Sequence, residues 1–461
     1  MIARYCLLLF LMLQSSFLRA QPGWELGIGD VGPIEYLTPG THNFTIGGYG
    51  PMMFEPYQAG WSFNGGPWEV HNATPTLVGV MNRFKVGLPV TPSITVTTPG
   101  QYTFRAFISC PTCPGPDYSN DTITKIVRVH NSLPPKNVLL EVLKFQGCPP
   151  CWSGDTAVNG QMLPRPYMNV ARLYIAPGEP LYNASADTVD AEVDQLPGHP
   201  SYMYDRFRFP YRTGQAVNVV EQNGTKWLAD SGSRVKYLEP LSVSFDAVSL
   251  DTVTRSLNVT LSTTIFDTLN GDYRFNLFVT EDSIYSWQDG SPTGMSWHQR
   301  VLRIPAGGSW GTAGSLPALL LPGQTLTHNY QLTIPAAYKL KQLRLIGFVQ
   351  HLSATDTANF KVLNSVGGRL LTLVQTTGVT DLKDAGLLQL YPNPVIDRLK
   401  ISWTEVSKLR FRISDLSGRT LREWFDEGQA FSVSMEDLPA GNYLLSATDG
   451  AVSKAAQFVK Q

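Results

Sequence analysis

The stretch VLLEVLKFQGCPPCWSGD, Val138 to Asp155, decides how the middle of this chain is read. Val138 to Leu143 is a nearly continuous apolar run, the pattern of a central strand covered on both faces. A CxxC pair, Cys148 and Cys151, follows directly. A second apolar run covers Val170 to Ile175, and Val189, Val193 and Leu196 then fall at helical spacing until Pro197-Gly198 stops them. Strand, helix, strand, helix is the alternation of an α/β layer, and Ser201-Tyr-Met-Tyr204 is a further strand. The block runs from residue 133 to about 237.

The flanks read differently. Residues 21–132 carry Gly and Pro punctuation and alternating strands such as Tyr102 to Ile108 and Thr122 to Val129, so an Ig-like β-sandwich is expected. Residues 238–377 are again all β, with Leu257 to Leu261 and Tyr273 to Val279 alternating between turns at Asn270-Gly271 and Pro322-Gly323; a second β-sandwich is the economical reading. A polar linker precedes a small β domain over 386–461. The expected fold class is therefore multidomain and mostly β, with one α/β domain inserted.

Residues 1–20 have the form of a secretory signal: Arg4, an apolar stretch from Leu7 to Leu13, and Ala20 as a small residue at the cleavage point. That stretch is shorter than the roughly 20 residues of a membrane-spanning helix, and no transmembrane segment is expected in the mature chain. Charge is nearly balanced, with 36 Lys and Arg against 37 Asp and Glu, which gives no electrostatic case for a nucleic-acid partner. Export implies an oxidising compartment, where the four mature cysteines favour disulfides. Four cysteines allow three pairings, of which Cys110 with Cys113 and Cys148 with Cys151 is expected. The alternatives are thiol-disulfide exchange at Cys148 and Cys151, and a metal site pooling all four sulfurs; no metal or cofactor is expected.

The tail resembles a type IX secretion system C-terminal sorting domain through YPNPV (Tyr391 to Val395), DLSGR (Asp415 to Arg419), LPAGNYLL (Leu438 to Leu445) and the terminal AAQFVK. That resemblance implies the secretion machinery as a partner and delivery through the periplasm to the cell surface or extracellular space. Residues from about Lys136 to Leu371 resemble the family related to the 28-kilodalton outer membrane protein through LLEVLKFQGC, GHPSYMYDR (Gly198 to Arg206), VTEDSIYSWQDG (Val279 to Gly290), WHQRVLR (Trp297 to Arg303), IGFVQ and VLNSVGG. It implies a thioredoxin-like first half and a β second half, with no defined activity.

A thioredoxin-like fold places Cys148 at a helix N-terminus as attacker, Cys151 as resolver, and Pro200 opposite the pair. Two departures weaken exchange chemistry. Pro149 and Pro150 remove two N–H donors, and Val142 stands where thioredoxin has a buried acid, while Glu141 points to the opposite face. His199 either approaches the pair or is a solvated loop residue, and Asp205-Arg206 is read as strand-edge polar contacts. The reading that follows is an exported surface protein with a binding or structural role toward an unknown partner; whether it is an enzyme stays open, the rival being an extracytoplasmic thiol-disulfide oxidoreductase. Hydrolase motifs are absent from the α/β strands.

Overall fold

The computed structural model describes residues 27–49, 57–77, 83–109, 121–193, 199–207, 209, 217–218, 231–353, 360–374, 388–403, 409–415, 419–426, 430–448 and 453–461. The signal segment, Cys110, Cys113 and the Leu196 to Gly198 helix stop lie outside these. The chain forms two compact units, Met1–Val374 and Gln375–Gln461, and is mostly β.

In the first unit, residues 27–129 build an eight-stranded sheet. Strand Glu69–Leu77 pairs with Tyr57–Phe63 through its first half and with Arg83–Gly87 through its second, so one strand links the two halves of the sheet. Ile46 and Val86 from one half join Trp61, Phe104 and Ile108 from the other in a single core, as alternating strands of a sandwich require.

The α/β block builds around strand Val138–Lys144, buried at every position. It runs parallel to Met168–Tyr174 on one side and antiparallel to Ser201–Tyr204 on the other, which pairs with Val217–Asn218. The expected change of domain at 237/238 is a change in sequence character, but the hydrogen-bond ladder does not stop there. Met168–Tyr174 meets Val301–Pro305 at Arg172↔Val301, and Asp272–Glu281, Leu343–Leu352 and Lys361–Arg369 extend the same sheet to eight strands.

Strand alternation sends side chains to both faces. Leu139, Leu143, Phe278 and Phe348 pack with Ala186 and Val189 of helix Ala184–Val193 on one face. Val138, Leu140 and Val142 pack on the other with Val158 and Met162, which continue the CPPC helix. Further along that sheet, Phe275, Leu277 and Val279 pack with Leu257, Val259 and Leu261 of a separate three-stranded sheet. The second sandwich is thus real as packing, and one of its layers belongs to the α/β sheet.

The second unit has a three-stranded and a four-stranded sheet around Leu399, Ile401, Phe411, Ile413, Leu445 and Phe458. The tail motifs interlock. Asn393 of YPNPV donates from its side chain to the Gln457 carbonyl at 3.1 Å and accepts from the Val459 N–H at 2.9 Å, fastening that loop to the terminal strand Ser453–Lys460. Tyr443 of LPAGNYLL donates its hydroxyl to the Pro439 carbonyl at 2.8 Å.

Candidate functional site: the CPPC motif and its surroundings

Helix Pro149–Ala157 begins at Cys148, which is its N-cap. Proline suits the first helical positions because its φ is preset and its missing N–H would be unpaired there. The consequence for chemistry is a poor anion site. Pro149 and Pro150 offer no donor, and the Cys151 N–H donates to the Cys148 carbonyl at 3.1 Å. Beside the motif, the Glu179 carboxylate accepts the Gln146 N–H at 2.5 Å and the Gly147 N–H at 2.8 Å, placing negative charge next to Cys148. A neighbouring carboxylate disfavours a thiolate.

Cys148 and Cys151 are joined in a disulfide and are only 3% and 0% exposed. The His199-Pro200 peptide is cis, and the His199 carbonyl lies 3.5 Å from Cys148 Sγ. The structure therefore brings Cys148, Cys151 and Pro200 together. The His199 imidazole does not stand free in solvent: its Nε2 is 3.6 Å from Asp190, and its ring meets the Phe145 ring edge-on at 5.8 Å.

Sequence reasoning missed an acid on the helix side of the sheet. Val142 carries none, and Glu141 does face away, where Arg206 grips it with bonds of 2.6 and 2.8 Å. Asp155, one helical turn after Cys151, is buried on the CPPC side. It is held by cations: Arg172 Nε at 2.7 Å, and an ion pair with Lys144. Burial acts to raise the Asp155 carboxyl, but Lys144 and Arg172 outweigh it and hold the group below the usual carboxylate range. Such an anion does not serve as a proton carrier near neutral pH. The signals were present in the sequence as Lys144 ending one apolar run and Arg172 interrupting the next; a charge in a fully buried strand requires a partner.

The Asp205-Arg206 reading needs correction. Both residues are buried, not at a strand edge. Arg206 also donates to the Ser309 carbonyl at 2.9 Å and to Gln350 at 3.1 Å.

A two-stranded hairpin, Ile284–Trp287 with Met295–His298, meets the motif's main chain through its turn, where Gln288 donates to the Cys148 carbonyl at 3.0 Å. Its outer face exposes Tyr285 and Trp297, whose rings are 4.9 Å apart. Its base carries His298, fully buried, with Nδ1 2.6 Å from the Tyr174 hydroxyl. Burial, with Lys144 adding to it, pushes the His298 imidazole down to about 4 from 6.5. Between those values the unfolded chain binds a proton that the folded chain refuses, so stability falls as pH is lowered through this window. We expect a loss of about 2–3 kcal/mol between pH 7 and 4.5 from this group. Urea unfolding at both pH values checks it: His298→Gln should show a shallower fall, and an equal fall would exclude His298 as the cause.

Glu281 and Asp282 also have structural partners. Glu281 accepts from Arg303 Nε at 2.8 Å and from the Lys339 N–H at 2.9 Å, and Asp282 accepts the Arg300 N–H at 2.9 Å.

The tail defines the class of the protein. Residues 389–461 match the family described as the secretion system C-terminal sorting domain, so this is an exported protein addressed by the type IX secretion system to the cell surface or extracellular space. No curated protein matches the chain. Among solved structures it is similar to HBP35 of Porphyromonas gingivalis, with 14% identity over 70% of this chain and 98% of that one, TM-score 0.42. It is also similar to a domain of the outer membrane lipoprotein Omp28 from the same organism, with 14% identity over 29% of this chain and 88% of that one, TM-score 0.19. Among the described residues, no helix is long and apolar enough to cross a membrane.

Proposed function

We propose that this exported protein has a binding or structural role at the cell surface, and that Cys148–Cys151 is a staple closing the first turn of the CPPC helix. The carrying observation is the burial of both cysteines, 3% and 0% exposed. Cysteines this buried are poorly placed to meet a client disulfide. Supporting this are the two prolines at the helix start and the Glu179 carboxylate, which together deny the sulfur the donors and positive field that activate exchange.

Insulin reduction by dithiothreitol, with and without the mature protein, tests this. The expected result is no acceleration over dithiothreitol alone. Acceleration that disappears in Cys148→Ser would sink the staple reading and favour the oxidoreductase. That second reading is favoured by one observation, the His199 carbonyl, just before Pro200, lying 3.5 Å from Cys148 Sγ.

A further inference from the structure

Two fully buried glutamines, Gln146 before the CPPC motif and Gln288 just after the hairpin's first strand, each bond across to the other's segment. Gln146 Nε2 donates to the Trp287 carbonyl at 2.7 Å and to Ser286 Oγ at 2.9 Å. Gln288 Nε2 returns to the Gln146 carbonyl at 2.9 Å and to the carbonyl of Cys148 itself at 3.0 Å. The Asp289 N–H adds a bond to the Gln146 carbonyl at 2.9 Å. Gly290, at φ +79°, then passes so close that a Cβ there would sit 2.1 Å from the Pro149 carbonyl oxygen. Only glycine allows both that conformation and that approach.

These contacts tie the hairpin to the motif, whereas the hairpin's own two strands form a separate sheet outside the eight-stranded one. Breaking the glutamine bonds thus need not disturb the main ladder. Local opening of this kind costs less than global unfolding.

We propose that hairpin Ile284–His298 is a lid over the Cys148–Cys151 disulfide, latched by Gln146 and Gln288, and that lid opening, not unfolding of the sheet, admits a dithiol reductant. This deepens the staple reading and rests on it: the pair is inert because it is covered. In the reaction a dithiol thiolate attacks one protein sulfur, the S–S bond breaks, and the other cysteine leaves as thiolate and takes up a proton. The second reductant thiol, losing its proton, displaces the first protein sulfur, leaving two cysteine thiols and a cyclic oxidised reductant.

The test uses the mature chain under native conditions with dithiothreitol. Samples are quenched with a maleimide at intervals, and labelling is followed on the peptide containing Cys148 and Cys151. Gln288→Ala is expected to be reduced about tenfold faster than the parent, the scale set by losing two buried hydrogen bonds. Gly290→Ala, which leaves the glutamines in place but collides with Pro149, is expected to act in the same direction and carries the test should Gln288→Ala fail to fold. Trp297→Ser on the exposed face should leave the rate unchanged.

Parental rates in both latch variants would overturn the lid. So would accelerations fully matched by lost urea stability of the whole unit, because reduction would then pass through global unfolding. Insulin turnover by the parent protein would instead sink the staple reading, and the two failures are told apart by the two assays.

Discussion

Asp205→Asn is expected to destabilise the first unit by about 3–5 kcal/mol, the scale for removing one partner from a buried ion pair. Asp205 Oδ2 lies 2.8 Å from Lys136 Nζ and 2.8 Å from Arg234 Nε, with all three side chains fully buried. Its Oδ1 accepts the Leu139 N–H at 2.7 Å, tying the charge to the central strand. Asparagine keeps an acceptor for Leu139 and tolerates the φ of +55° found here, so the loss isolates the charge. The variant leaves Lys136 beside Arg234 with less compensation.

Burial, reinforced by Arg234, already lowers Lys136 to about 8 in the parent. Its folded pKa lies below its unfolded value of 10.5, so the unfolded chain binds more protons between about 8 and 10.5, and stability from this group rises with pH there. Losing Asp205 should move the lower bound of that window down. The deficit of Asp205→Asn is therefore expected to shrink between pH 7 and 9, as Lys136 sheds its proton. Urea unfolding at the two pH values measures this; a deficit under about 1 kcal/mol at pH 7 would mean that the buried charges relax to solvent.

The second large effect is expected at Asp155. Replacing it by Leu should also cost about 3–5 kcal/mol, because Lys144 and Arg172 would stay buried without their shared anion. Arg172 retains acceptors in the Gln299 carbonyl at 2.5 Å and Asn159 Oδ1 at 2.9 Å, whereas the carboxylate that neutralised it is gone. The carboxyl's depressed folded pKa means that its contribution is present above the unfolded value near 4 and is lost as pH falls through the folded one. The parent should lose stability in that acid range, and Asp155→Leu should lack that step. Pairing Asp155→Leu with Lys144→Met should recover part of the loss. No recovery in urea unfolding would place the cost in packing instead of charge.

Both predictions concern residues whose chemistry was only half legible. The alternation of Val138 to Lys144 told which face Glu141 takes, and it takes that face, paired with Arg206. Lys144 shares the face of Val142, but alternation along one strand could not say that Asp155 would meet it there, because that contact joins a strand to a helix eleven residues on. Asp205-Arg206 looked like edge polarity for a related reason: a turn residue and a buried ion-pair residue read alike until the segments that cover them are placed. The covering segments here are Lys136, Arg234 and Ser309, far apart in sequence.

By itself the sequence determined the elements and the address. Apolar runs, strand alternation, proline and glycine punctuation and the tail motifs are local features, and local backbone preference with side-chain burial is enough to turn them into strands, the CPPC helix and a sorting domain. Only tertiary structure decided that the α/β block and the following β segment share one sheet, and that Gln288, 140 residues beyond Cys148, donates to the Cys148 carbonyl. Such pairings depend on which polar groups are left without water once the layers meet, a quantity that exists only after the chain has packed.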